Sequence, residues 1–206
     1  MSGLPWEASY ADGSAPWDIG RPQPAVVRLV STGVLRGPVL DAGCGTGENA
    51  LHVASSGLWV LGVDVAKTAI GIARDKATER GLDARFALAD ALDLGALGRT
   101  FATVLDCGLF HSLNPEERRR YAASLAVATD QGGSAYVLCF SDRGPDTGPH
   151  PVSEAELHLV FDGRAGWEIQ SVQPERLYAS FAQVGGLAAW MVTVKRGSGV
   201  LEPKPT

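Results

Sequence analysis

The residues best equipped for chemistry form one short string, Asp41-Ala42-Gly43-Cys44-Gly45-Thr46-Gly47, directly after the apolar pair Val39-Leu40. Glycines let the backbone turn sharply and approach a ligand closely, so a strand that runs into such a loop forms a ligand cradle. A dinucleotide needs the spacing G-x-G-x-x-G, with its pyrophosphate on the N-terminus of the following helix. Counted from Gly43, the third glycine falls at position 48, which holds Glu48, a carboxylate that repels phosphate. A phosphate loop ending in Lys-Ser/Thr is absent as well. Asp64 ends the next apolar run, about 20 residues beyond the loop, the spacing of a carboxylate that grips ribose hydroxyls. Val63 and Val65 flank it and suit the core and an adenine face, and Asp90, after a third run, is placed to accept from an adenine amino group. Asp93 is near enough that the boundary there stays open.

A nucleoside ligand without phosphate and with positive charge fits this acid-lined loop. S-adenosylmethionine, with its sulfonium, is such a ligand, and Asp41 and Glu48 are tolerable beside it. His111, five positions past Asp106, lies just beyond the fourth apolar run. Histidine titrates near neutral pH, so His111 reads either as a base for a phenol or hydroxyquinoline or as a structural residue at the helix entry near Asn114. His150 is a second candidate, whereas His52 and His158 sit in helical patterns. Cys44 reads as a small filler rather than a reactive thiol.

The elements that must hold these residues alternate. Strands are expected at Val39-Leu40, Leu58 to Val63, Arg85 to Leu88, Phe101 to Leu105 and Gly133 to Phe140. Helices are expected from Glu48 to Ser56, from Lys67 to Arg80 with its stop at Gly81, from Pro115 to about Thr129 under an Asn114 cap, and from Ser153 to about Phe161 with Ser153 and Glu156 in a capping-box pattern. Alternation of this kind means a mostly parallel sheet with helices on both faces. Trp167 to Tyr178 and Leu187 to Lys195 have no long helix between them, and they read as an antiparallel pair closing the sheet edge. Trp6 to Pro24 and Ser141 to Pro151 fit no regular element, and long loops at strand ends tend to be lids or binding loops.

Asp41 to Gly47, Asp64, Asp90 and the stretch Asp106 to Leu109 together resemble class I S-adenosylmethionine methyltransferases. The string Trp17-Asp18-Ile19-Gly20-Arg21-Pro22-Gln23-Pro24 resembles the N-terminal lid of thiopurine-methyltransferase-like enzymes, and looks most like that of the mycobacterial heterocyclic toxin methyltransferases, which O- or N-methylate hydroxylated quinolones and similar aromatics. The resemblance spans Trp6 to Lys195. It implies an α/β fold: a Rossmann-like, seven-stranded, mostly parallel sheet with an antiparallel last strand. It implies that Asp41, Gly43 and Gly45 line the methionine and ribose region, that Asp64 and Val65 hold the nucleoside, that Asp90 and Ala91 contact adenine, and that Asp106 and Cys107 sit at the methionine end. Tyr10 and Trp17 would close over the cofactor; for Trp17, plain packing of the arm is the other reading. Arg21 either pairs with the cofactor carboxylate or holds the lid. The acceptor pocket is expected from Trp6, Phe110, His111, Phe140 and His150, with Tyr136 and Trp190 as further wall candidates.

The bulk numbers fit a single domain over residues 1–206, divided into a lid at 1–24, a core at 25–196 and a loose tail at 197–206. A formal net charge of -5 argues against a nucleic-acid partner, and the lone basic run, Arg118 to Arg120, follows Glu116 and Glu117 as on a solvated helix face. Three cysteines without metal-ligand spacing, no leader pattern and no bilayer-length apolar run point to the cytoplasm, with no metal and no membrane partner. A monomer acting on a small aromatic acceptor is the expectation. The alternatives are an aryl-thiol S-methyltransferase, a non-catalytic S-adenosylmethionine sensor and a nicotinamide oxidoreductase, the last opposed by Glu48.

Overall fold

A computed structural model describes residues 6–144, 148–181 and 185–197. The chain forms β1 (Val39–Ala42), β2 (Val60–Asp64), β3 (Ala84–Leu88), β4 (Phe101–Cys107), β5 (Thr129–Phe140), β6 (Trp167–Leu177) and β7 (Leu187–Arg196) in one sheet of order β3-β2-β1-β4-β5-β7-β6. β1 to β5 pair in parallel, while β7 runs antiparallel to both β5 and β6. The expected edge pair is therefore present, with β7 inserted between β5 and β6.

Helices α1 (Trp6–Ala11), α2 (Pro24–Ser31), α3 (Glu48–Ser55), α4 (Lys67–Glu79), α5 (Pro115–Ala128) and α6 (Glu154–Val160) cover the sheet. One core layer packs Tyr121 and Leu125 of α5 and Leu157 of α6 against Leu40, Val104 and Val137. The opposite layer packs Val26, Leu51, Ile70 and Ala73 of α2, α3 and α4 against Val39, Val60 and Leu105. Each large side chain so buried contributes roughly 1.5–3 kcal/mol.

Local signals set the helix limits. α4 stops at Gly81, whose φ is +62°. There Leu82 N–H returns to the Ala77 carbonyl and Gly81 N–H to the Thr78 carbonyl, as in a Schellman ending. α5 opens with a full capping box between Asn114 and Glu117. Ser153 accepts from Glu156 N–H at the start of α6.

Two helices went unread in the sequence. Trp6 to Pro24 contains α1, and α2 begins at Pro24, where a proline pre-set for the first helical turn was the available signal. The remaining bounds differ from expectation by a few residues; β5 starts earlier, at Thr129, because its first residues bulge against β4. The expected tail beyond Gly197 and part of the 141–151 loop lie outside the described residues. Among the described residues no helix is long and apolar enough to cross a membrane.

Chain direction across the sheet fixes where a ligand can sit. From β1 the chain steps outward through β2 and β3, then returns to β4 on the other side of β1. The loops after β1 and β4 therefore part from each other, and the crevice between them is the switch point at which open α/β sheets bind ligands.

Candidate active site

That crevice holds a cavity lined by the glycine loop, the N-terminal arm, the ends of β2 and β4, and residues near the ends of β5 and β6. Gly43, Gly45 and Gly47 all have positive φ, and Gly43 and Cys44 N–H both donate to the Val63 carbonyl, which ties the loop to β2. A Cβ on Gly45 would stand 2.7 Å from the Tyr10 hydroxyl, and one on Gly47 2.8 Å from the Phe86 ring. The glycines are thus demanded by close approach as well as by backbone conformation.

Asp64 accepts from Gly45 N–H at 3.0 Å through one oxygen and from Ala66 N–H at 2.9 Å through the other. Burial raises its pKa in spite of these amides. Each oxygen keeps a further lone pair for a ligand hydroxyl. Val65, Ala91 and Cys107 also line the cavity.

The arm is clasped over the loop. Tyr10 is buried, and its hydroxyl accepts from Trp17 Nε1 at 2.7 Å. Trp6 meets the Trp17 ring edge-on with centroids 5.1 Å apart. Thr46 donates its hydroxyl to Asp18 at 2.6 Å and accepts from Lys76 at 2.7 Å. Glu7 accepts from the Thr68 amide at the start of α4. Gln23 bonds both the N–H and the carbonyl of Tyr178, which joins the arm to the segment after β6.

His111 lines the cavity and packs against Phe140, with ring centroids 4.2 Å apart and the planes tilted by 38°. Its Nδ1 accepts from Phe140 N–H at 3.4 Å. Burial, then the charges of Arg118 and His150, push its pKa down to about 3. The ring is neutral at physiological pH.

Several expected residues lie elsewhere. Phe110 is a correction: it is fully buried in the core, stacked on Phe161 at 5.3 Å, because its short 3-10 turn (Phe110–Ser112) directs it under α5. Tyr136 packs against the α2–α4 layer, and Trp190 is buried with Nε1 on the Val152 carbonyl, so neither forms a wall. Asp90 is exposed and off the cavity, and it caps the 3-10 segment Ala91–Leu97 by accepting from Leu92 N–H. His150 is exposed beside the site and does not line it. Asp41 and Asp106 lie beneath the cavity instead of lining it. Asp106 accepts from Leu109 N–H at 2.9 Å, whereas neither Asp41 oxygen reaches a partner in hydrogen-bond geometry. Burial raises both to about 7; for Asp41 the charge of Asp106 comes next.

Glu48 has a different meaning from the one its spacing suggested. Arg80 grips both its oxygens at 2.8 Å and Lys76 pairs with it at 2.9 Å. Burial would raise its pKa, but the two cations outweigh burial and hold it low. Its charge is largely neutralised, so its main effect is to join α3 to α4. Sequence reading gave no site role to Ile19, Leu109, Leu177, Ala179 and Phe181, which also line the cavity. Leu177 to Phe181 follow an edge strand, and no local pattern distinguishes such a segment from an ordinary loop.

S-adenosylmethionine fits these residues. The positive-φ glycines bring the loop backbone to the cavity wall, and the free lone pairs of Asp64 would suit ribose hydroxyls. Asp41, Asp64 and Asp106 form no ion pair among the described residues, so a cationic sulfonium or ammonium would favour their ionised forms.

Comparison with known proteins agrees. Residues 39–133 match the family described as "Methyltransferase domain". A Mycobacteroides abscessus protein named 2-heptyl-1-hydroxyquinolin-4(1H)-one methyltransferase is 41% identical over 169 residues, covering 80% of this chain and 74% of its own. This chain belongs to the S-adenosylmethionine-dependent methyltransferases. The Arabidopsis thaliana protein named probable thiol methyltransferase 2 is 31% identical, covering 75% of this methyltransferase and 70% of its own chain. A solved structure from work on the conversion of a disulfide bond into a thioacetal group during echinomycin biosynthesis superposes with a TM-score of 0.85 at 38% identity, covering 94% of this chain and 91% of that one. The methyltransferase acts on a small molecule, and the sensor and oxidoreductase readings fall away.

Proposed function

We propose that the acceptor is a flat hydroxylated heteroaromatic of the quinolone type, methylated on O or N. The observation that carries this is the aromatic and apolar lining beyond the glycine loop: the His111–Phe140 ring pair, with Trp6, Trp17, Leu109, Leu177 and Phe181 around the same cavity. Flat apolar walls with few polar groups suit a planar ring system. The relative named for a hydroxyquinolone supports the same class.

In this reading Asp64 holds the ribose hydroxyls, Gly43 and Gly45 the methionine side, and Val65 and Ala91 the adenine. Asp41 and Asp106 act from beneath through their charge, and Arg21, at the cavity with its guanidinium 5.6 Å from the Tyr178 ring, takes the cofactor carboxylate. The bound cofactor supplies an electrophilic methyl group. The chain's own contribution is to hold the acceptor in line with that methyl and to exclude water by closing residues 6–24 as a lid. A monomer in a reducing cytoplasm belongs to the same reading, and the three free cysteines suit that compartment.

A thiol acceptor is the second reading, favoured by the relative named for thiols. Release of S-adenosylhomocysteine with 1-hydroxyquinolin-4-ones, hydroxyquinolines, flavonols and aryl thiols separates the two. The expected result is turnover with the oxygen acceptors well above that with aryl thiols. The reverse order would replace the proposal with the second reading.

A further inference from the structure

We propose that His111 is a hydrogen-bond donor, not a base: its Nε2–H binds an oxygen of the acceptor, and the enzyme takes acceptors that are already ionised. The inference rests on the methyl-transfer reading above and specifies which form of the acceptor it uses.

The tautomer follows from the Phe140 contact. A neutral imidazole carries one N–H and one bare nitrogen. Nδ1 faces the Phe140 N–H and accepts from it, so the ring proton resides on Nε2. Moving that proton to Nδ1 would set two donors against each other in a buried site, at the cost of an unsatisfied amide. Nε2 makes no hydrogen bond among the described residues, and the ring edges the cavity.

The surroundings hold this state in place. Arg118 donates to the backbone carbonyls of Phe110 and His111 and pairs with Glu156, so a fixed cation from α5 lies behind the ring. His150, on the loop before α6, adds like charge whenever it is protonated, and both oppose an imidazolium at His111. On the β4 side the ring passes Gly108, where an added Cβ would stand 3.7 Å from its Cε1, and a glycine brings no charge.

Among the described residues no other lining group is a free base. Asp64 is committed to two amides, Glu48 to Lys76 and Arg80, and Asp18 to Thr46 and Gly20 N–H. Tyr10 and Cys107 are neutral acids whose pKa burial raises further. A neutral hydroxyl entering this cavity finds a donor in His111 and, among the described residues, no group to take its proton. An anionic oxygen finds a partner. The acceptor oxyanion forms the O–CH3 bond as the S–CH3 bond breaks, that bond's electron pair stays on sulfur, and no proton changes hands. The class selected is the acidic N-hydroxy or hydroxy heteroaromatic.

Two acceptors of different acidity provide the test, a 1-hydroxyquinolin-4-one and a 4-alkylphenol that ionises near ~10, as tyrosine does. The pH profile of kcat/KM is expected to follow each acceptor's own ionisation. An acid limb at the same pH for both, whichever residue supplies it, overturns the proposal. His111→Phe keeps a ring on Phe140 and removes the donor, and kcat/KM for the hydroxyquinolone should fall roughly 10- to 100-fold, the worth of one hydrogen bond to a charged group. His111→Gln places an amide N–H near Nε2 and should recover most of that loss; equal damage in both variants would mean a packing role only. The 15N spectrum of the labelled wild-type protein requires neither a variant nor turnover. Nδ1 is expected as the bare nitrogen and Nε2 as the protonated one through the neutral range, and the opposite assignment overturns the proposal. Cofactor titration in the same samples reports separately on the methyl-transfer reading.

Discussion

Asp64 joins the sequence most directly to binding. Its carboxylate braces the Gly45 amide and lines the cavity, so it shapes the loop and, in the proposed reading, presents acceptors to a nucleoside. Asp64→Ala should therefore weaken S-adenosylmethionine binding by at least about 100-fold, the loss of two charge-assisted hydrogen bonds. Stability should fall by only ~1–2 kcal/mol, because two amides lose one acceptor each. Calorimetry beside a urea melt distinguishes the two effects, and unchanged affinity would remove Asp64 from the site. Asp64 and the glycines were readable because their chemistry is local: a positive-φ loop and an acid at a strand end. Asp41, Asp90 and Asp106 are also acids at strand ends, yet they face the core or cap a turn. Whether such a residue points up or under depends on the twist and register of neighbouring strands, which spacing does not reveal.

At the scale of elements, the N-terminal arm carries the most information beyond pattern. Its aromatics resembled a lid, and the structure adds what holds them: the Tyr10–Trp17 bond and the relay from Asp18 through Thr46 to Lys76 and Glu48. Periodicity missed α1 because six residues are too short to display a face. The clasp was invisible because Thr46 and Lys76 come from distant parts of the chain. If the arm is a lid held by this relay, Asp18→Ala should speed hydrogen exchange over residues 6–20 and weaken cofactor binding about tenfold, the worth of one hydrogen bond to a carboxylate. Adding cofactor to the wild type should slow exchange in the same peptides. Exchange indifferent to both changes would make the arm static packing.

For the whole molecule, the switch from β1 outward to β3 and back to β4 creates the crevice, and alternation of strands and helices was enough to anticipate it. The edge pair β6 and β7 was equally readable, since two extended segments without a helix between them have few other arrangements. The same sheet centre buries Asp41 and Asp106 on adjacent strands, each raised to about 7. A carboxylate raised on folding contributes stability that is fully present below its unfolded pKa near ~4 and is lost as pH rises through its folded value. His111, lowered to about 3, acts in the opposite sense below its unfolded pKa, yet one histidine does not offset two acids. Without ligand, stability should therefore fall by ~1–2 kcal/mol between pH 5 and 7.5. A cationic ligand favours the ionised pair, so saturating S-adenosylmethionine should flatten this fall more than S-adenosylhomocysteine, which lacks the sulfonium. Thermal melts across that range provide the check, and a ligand-free protein that gains stability as pH rises would contradict it.

The reaction proposed is methyl transfer from S-adenosylmethionine to a hydroxylated heteroaromatic bound against His111 and Phe140. The most direct measurement is mass spectrometry of a 1-hydroxyquinolin-4-one after incubation with the enzyme and cofactor bearing a deuterated methyl group. One labelled methyl per acceptor is expected, on an exocyclic oxygen, formed in step with S-adenosylhomocysteine. An acceptor recovered unlabelled, while an aryl thiol in the same mixture takes up the label, would contradict it.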